Sequence, residues 1–248
     1  MGGLGNQLFQ LAFLDYIQAI TSMPEIKTGI FLRSLAPPYT HHSKENYFQT
    51  IFKWWAGILD SSQCVTSQAH ELSTEAEQTW DTTPGTYYVG YFQRHEYVDL
   101  VRESFVAKLS FDTSVLKKYP DISTKTFVHV RGGDYAGHPL HEVPLRAYYQ
   151  RCMEQTPLKD FVIFTNDAAY ARALLPDMFP GTQVIAESEV NSLFLMSQCG
   201  ACICANSSFS WWGACLNPER PIFMPSKWYN DPTTPGNYYF KGVTVIDV

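Results

Sequence analysis

The sequence has 248 residues, a formal net charge of −6, and 45% hydrophobic against 17% charged residues. That length and balance describe an ordinary globular chain with one large core or two small lobes. The acidic balance disfavours nucleic acid or an anionic membrane surface as the main partner.

At the start, Gly2-Gly3-Leu4-Gly5-Asn6-Gln7 reads as a loop directly before a helix over Gln7 to Ile20. The helix carries Phe9, Phe13, Tyr16, Ile17 and Ile20 on one face. Glycines there let backbone N–H groups approach an anion or a sugar; a tight turn explains them equally well. The dinucleotide fingerprint is incomplete, which disfavours a nicotinamide oxidoreductase. No basic-then-apolar leader follows Met1. A cytoplasmic or membrane-peripheral location is therefore expected of a complete chain, and a lumenal Golgi location of a trimmed catalytic domain.

Residues 34 to 86 show no clean period. Tyr87 to Tyr91 reads as a strand and Val98 to Leu109 as a helix, with a weak boundary near Tyr119-Pro120-Asp121. Two domains, 1–120 and 121–248, are expected. The second half alternates regularly. Strands are predicted at Thr126 to Val130, Phe161 to Phe164, Gln183 to Ile185, Cys202 to Cys204 and Pro221 to Phe223. Helices are predicted at Leu145 to Glu154, Ala168 to Leu175, Ser192 to Cys199 and Phe209 to Leu216. Short apolar strands alternating with helices imply an α/β fold with a parallel sheet covered on both faces. The longest apolar stretch, near Phe194 to Ala205, is broken by Ser197, Gln198 and Gly200, short of the about 18 residues of a membrane span.

The strand ends carry the chemistry. In His129-Val130-Arg131-Gly132-Gly133-Asp134-Tyr135, strand alternation puts His129 and Arg131 on one face. They lie at the carboxyl edge, where open parallel sheets bind ligands. Arg131 suits a diphosphate; an Arg131–Asp134 pair closing the turn is the alternative. Thr165-Asn166-Asp167 ends the next strand, as a helix cap or as contacts to a ribose or base. Asn206-Ser207-Ser208-Phe209-Ser210 opens a helix whose N-terminus suits a phosphate. Asn206-Ser207-Ser208 is also a formal glycosylation sequon, poorly placed in a tight turn. At least one of Trp211 and Trp212 is expected in the core. The six cysteines, Cys64, Cys152, Cys199, Cys202, Cys204 and Cys215, are spaced irregularly. They read better as small buried hydrophobes than as zinc ligands. The histidines form no metal motif, and no Asp-x-Asp is present.

In order, Gly2 to Gln10, Gly90-Tyr91-Phe92-Gln93, Val128 to Tyr135, Phe164 to Asp167, Leu195 to Cys199 and Ala205 to Gly213 resemble the alpha-1,2-fucosyltransferases of glycosyltransferase family 11. The resemblance implies a GT-B-like architecture of two Rossmann-like lobes with parallel sheets and a cleft between them. GDP-L-fucose would bind mainly to the C-terminal lobe and a galactose-terminated glycan acceptor to the N-terminal one. It implies inverting, metal-independent transfer of L-fucose to the 2-hydroxyl of a terminal galactoside, with no cofactor. Arg131, His129 and Asp134 would be catalytic. Gly3, Gly5, Asn6, Gln7, Tyr135, Thr165, Asn166, Asp167, Asn206, Ser207, Ser208, Phe209 and Ser210 would hold the donor. The sequence departs from the family in having Gly132 where a second arginine is common, Ser192 for an aspartate, and Gly200-Ala201 for basic residues. A degenerate sugar- or nucleotide-binding protein, or a transferase with another acceptor, are the alternatives.

Overall fold

The computed structural model describes residues 2–21, 45–56, 67–71, 78–83, 86–178, 180–231 and 237–248. The chain forms two compact units, Met1–Phe111 with Pro235–Tyr238, and Asp112–Thr234 with Tyr239–Val248. The division falls at Phe111–Asp112, ahead of the expected residue 120. Cys64 lies outside the described residues.

The first unit contains α1 (Leu4–Thr21), α2 (Lys53–Ala56), the parallel pair β1 (Ser67–His70) and β2 (Thr86–Val89), α3 (His95–Asp99) and α4 (Arg102–Val106). The helix α1 begins three residues earlier than the periodicity suggests. Gln7 N–H already donates to the Gly3 carbonyl at 3.1 Å. Gly5, Asn6 and Gln7 therefore form a first helical turn rather than a loop. Its apolar side buries Leu8, Phe9, Phe13 and Ile17, whereas Ile20, in the last turn, is 41% exposed. Phe13 stacks on Phe92 at 3.9 Å and meets Trp80 edge-on at 4.6 Å, a geometry that adds to area burial. The buried Asp15 is paired with Lys108 at 2.6 Å; desolvation still raises its pKa, against the pull of the lysine. The single helix expected over Val98 to Leu109 is two short ones. Val101, at φ −118 and ψ 1, closes a tight bond to Val98 and interrupts them, where β-branched residues support a helix weakly.

The second unit is a six-stranded parallel sheet: β3 (Thr126–Val130), β4 (Phe161–Thr165), β5 (Gln183–Ile185), β6 (Ala201–Ile203), β7 (Ile222–Pro225) and β8 (Val243–Ile246). The spatial order is β5-β4-β3-β6-β7-β8. Renumbered within the unit this is 3-2-1-4-5-6, the doubly wound order that binds ligands where the winding reverses. Helices α5 (Arg146–Gln155), α6 (Ala168–Leu174), α7 (Glu189–Gln198) and α8 (Ser208–Cys215) connect the strands. The expected helix at Ser192 begins one turn earlier because Ser188 caps it, accepting from Asn191 N–H. β8 was not expected; its sequence Val-Thr-Val-Ile is short and half exposed.

All five residues of β3 are buried, as befits a central strand covered on both faces. Val128 and Val130 pack with Tyr148, Tyr149 and Cys152 of α5 and Ala171 of α6. Alternation turns Phe127 and His129 the other way, and the His129 ring lies 5.7 Å from Phe209 of α8. The helix α8 approaches α7 at Gly213, where a Cβ would stand 2.8 Å from Met196 Sδ, so any larger residue would push Met196 aside. Arg220 donates to the carbonyls of Met196 and Gly213 at 2.8 and 2.7 Å and to that of Cys199, a cation serving carbonyls at the end of α7 and within α8. Trp211 and Trp212 are both fully buried. So are Cys152, Cys202, Cys204 and Cys215, with Cys199 nearly so; burial pushes the Cys152 and Cys202 thiols up to about 12. Among the described residues no helix is long and apolar enough to cross a membrane.

Candidate functional site

The winding reverses between β3 and β6. Their pairing ends at Val128↔Ile203, while β3 continues beside β4 to Val130↔Thr165. Beyond that point the two strands lead apart, β3 into Arg131-Gly132-Gly133-Asp134 and β6 into Cys204-Ala205-Asn206-Ser207. A crevice flanked by these two segments is where such a sheet places its ligand.

On the β3 side, His129 is 3% exposed and its Nδ1 meets no hydrogen-bond partner among the described residues. Desolvation, helped by the nearby Arg131 charge, lowers its pKa to about 3. The imidazole is therefore neutral across the physiological range. Arg131 follows the last strand residue, Val130, and its charge acts on His129. Its guanidinium donates to Asp134 at 2.6 Å and lies 5.3 Å from the Tyr135 ring centroid. The ion pair foreseen as an alternative to phosphate binding is thus present. Arg131 also lines a small pocket with Tyr135, His141, Leu145, Tyr149 and Asn206. There Tyr135 stacks on His141 at 4.8 Å, and burial raises the Tyr135 hydroxyl to about 12.

On the β6 side, Asn206 is 2% exposed and its amide donates to the carbonyls of His141 and Trp228 at 3.0 and 2.8 Å. It fastens the His141 and Trp228 loops to this strand end, and its burial makes it a poor glycan acceptor. Ser207 is the N-cap of α8, its hydroxyl accepting from Phe209 N–H at 3.3 Å. Ser210 is buried and bonds back to the Ala205 and Ser207 carbonyls. Ser208 and Phe209 lie in the first turn, half-buried, so the positive end of α8 opens at this edge.

Thr165, Asn166 and Asp167 tie the neighbouring strand end to the same edge. Asn166 accepts from Gly132 N–H at 2.9 Å and returns a bond to the Gly132 carbonyl at 3.3 Å. Asp167 caps α6, accepting from Tyr170 N–H at 2.9 Å, and reaches Gly133 N–H at 3.3 Å. These bonds from backbone N–H groups hold its carboxyl below the usual range. Thr165 Oγ1 exchanges bonds with the Asp167 backbone. The helix-cap reading therefore holds for Asp167. The pinned loop also explains a departure in sequence: a Cβ at Gly132 would stand 2.8 Å from Asp167 Cβ and 2.9 Å from Tyr170 Cδ1. An arginine there would force Asp167 or Tyr170 to shift. Gly200 is likewise closed to any side chain by the Ser123 carbonyl and Leu158.

The remaining candidates, Gly3, Gly5, Asn6 and Gln7, belong to the first unit. Gln93 Nε2 donates to Asn6 Oδ1 at 2.7 Å, and Gln7 Nε2 to the Gly2 carbonyl at 2.9 Å. Sequence reasoning passed over Tyr148, Tyr149, His141 and Glu142, the last accepting from Tyr170 OH at 2.9 Å and Gly137 N–H at 2.7 Å. The signal was present: adjacent tyrosines in the first helix after the strand, and polar residues crowding one connection. Among the described residues no group of three or more His, Cys, Asp or Glu is placed to hold a metal ion.

Residues 78–241 match the family model of Glycosyl transferase family 11. The chain is similar to an O-antigen biosynthesis glycosyltransferase, WbnK, of Escherichia coli, 27% identical over 165 residues covering 56% of this chain and 54% of that protein. It is also similar to an alpha-1,2-colitosyltransferase of Escherichia coli, 27% identical over 265 residues covering 92% of this chain and 90% of that protein. The match therefore spans about half the length of the first relative and nine-tenths of the second. No solved structure matches.

Proposed function

Because this chain belongs to glycosyl transferase family 11, we propose that it transfers L-fucose from GDP-fucose to the 2-hydroxyl of a terminal galactoside, inverting the anomeric centre without a metal. The observation that carries this reading is the crevice at the β3–β6 reversal, with Arg131 on one side and the Ser207-capped end of α8 on the other. As the glycosidic bond breaks, negative charge grows on the departing diphosphate. Donors fixed beforehand at that position lower the barrier most. A guanidinium presents five N–H donors, so one group can serve a carboxylate and a phosphate together. Asp134 then orients Arg131 at 2.6 Å.

His129 acts as a neutral hydrogen-bonding group in this scheme. A side chain whose pKa is about 3 is too weak a base to take the acceptor proton near pH 7. Ser207, Ser208, Phe209 and Ser210 offer the diphosphate the end of α8. Tyr135, Thr165, Asn166, Asp167 and Asn206 shape the donor pocket, and the second unit carries most donor contacts. The first unit binds the acceptor, and Gly3, Gly5, Asn6 and Gln7 are its candidates for sugar contact.

A second reading has a specific support: the relative aligned over 92% of this chain is named a colitosyltransferase, so a colitosyl donor is the rival to a fucosyl one. One experiment tests both. The protein is incubated with lactose and either GDP-fucose or GDP-colitose in excess chelator, and the linkage is read by NMR. An alpha-1,2-fucosyl product is expected. A product from GDP-colitose alone gives the second reading, and GDP binding with no product from either donor gives a degenerate binding protein. Dependence on added divalent metal would refute the metal-free scheme.

A further inference from the structure

The sheet comes apart at the crevice, and two adjacent tyrosines of α5 meet the strand ends there. Tyr148 and Tyr149 are both fully buried. The Tyr149 hydroxyl donates to the His129 carbonyl at 2.7 Å. That carbonyl lies one residue beyond Val128↔Ile203, the last β3–β6 pair. The Tyr148 hydroxyl donates to the Cys204 and Phe223 carbonyls at 2.7 and 2.9 Å. There the strands are still joined, since Cys204 N–H donates to the Phe223 carbonyl at 3.0 Å. The two hydroxyls thus have equal burial and similar bonds but different stations. Tyr148 ties β6 to β7, at the strand end that leads to Asn206 and Ser207. Tyr149 holds the strand end that bears His129 and leads to Arg131, and its ring lines the pocket with Arg131 and Asn206.

We propose that Tyr149 is a positioning residue for the transfer reaction. Its hydroxyl fixes the β6-facing side of the end of β3, which β4 still pairs on the other side, and so sets the His129 imidazole and the Arg131 guanidinium at the crevice. This rests on the reading of the β3–β6 crevice as the donor site. The bond replaces on one side the ladder partner that β6 no longer supplies, since a buried carbonyl requires a donor. A small shift of this strand end would misplace every group that follows it, and misplacement by about 1 Å is enough to slow a reaction on the order of a hundredfold.

The test compares full-length Tyr149→Phe, Tyr148→Phe and Arg131→Ala. Readouts are melting temperature, kcat and KM with GDP-fucose and lactose, and the His129 imidazole resonances by NMR with and without GDP. Each phenylalanine variant loses one buried hydroxyl, so both should melt lower by a similar amount. Tyr149→Phe should lower kcat about tenfold with little change in the acceptor KM, and should shift the His129 resonances. Tyr148→Phe, whose bonds lie on β6 and β7, should leave those resonances in place whatever its own kcat. The proposal is overturned if Tyr149→Phe keeps the parent kcat, or if its His129 resonances match those of Tyr148→Phe. Full turnover by Arg131→Ala would instead overturn the donor-site reading. A dead Arg131→Ala beside a fully active Tyr149→Phe overturns the tyrosine's role alone. The NMR comparison needs no turnover, so it decides the positioning even for a different donor sugar.

Discussion

His129 shows how one enclosed residue links the fold to pH. Burial lowers its pKa from 6.5 to about 3, so on acidification the unfolded chain takes up a proton before the folded one does. The stability associated with the neutral ring is complete above pH 6.5 and is lost as pH falls towards 3. At pH 5 the loss amounts to about 2 kcal/mol. Urea unfolding at pH 7.5 and pH 5 should show a fall in stability that is smaller by about that amount in His129→Gln than in the parent protein. Equal falls would mean that the imidazole is already hydrated in the folded state. A residue that cannot charge is also a poor proton acceptor, which directs the search for an acceptor base away from the motif histidine.

At the scale of the element, the loop after β3 is defined by what it excludes. Asn166 and Asp167 pin Gly132 and Gly133 against the start of α6, and a side chain at 132 would displace Asp167 or Tyr170. Replacing Gly132 by the arginine common in the family should therefore destabilise the protein by about 1–3 kcal/mol. It should not increase turnover, as assayed by melting and GDP-fucose consumption. A more active, equally stable Gly132→Arg would show that the loop is built to accept that side chain. The same loop marks what a sequence can disclose. The continuous apolar runs at Thr126, Phe161 and Cys202 and their spacing made the parallel sheet legible, because each strand is buried on both faces. The strand ends carrying His129, Arg131, Asp167 and Ser207 were legible for the same reason. Illegible were Gly132 as a packing constraint, Tyr149 as a partner of β3, and β8, whose half-exposed pattern resembles an edge loop. Each depends on contacts made across long separations in sequence. The glycine-rich start of α1 misled in the opposite direction, since its glycines are tolerated in a first helical turn.

At the scale of the whole molecule, the chain does not divide by a single cut. Asn237 belongs to the first unit although the chain around it builds the second. It pairs with Arg94 in a β-bridge, its carbonyl accepts from His95 N–H at 2.9 Å, and its amide reaches Glu96. Asn237→Ala should therefore loosen α3, which lies far upstream in sequence. The expected result is a loss of about 1 kcal/mol in stability, with faster amide exchange across His95–Asp99. Unchanged exchange in that segment would show that the contact bears no weight.

That return of Pro235–Tyr238 to the first unit also sets a timetable for biosynthesis. The N-terminal unit lacks a piece of itself until residue 238 has been made, and the C-terminal sheet waits for β8 a few residues later. The two halves therefore complete close together in chain order, the first only once residues far downstream have been made.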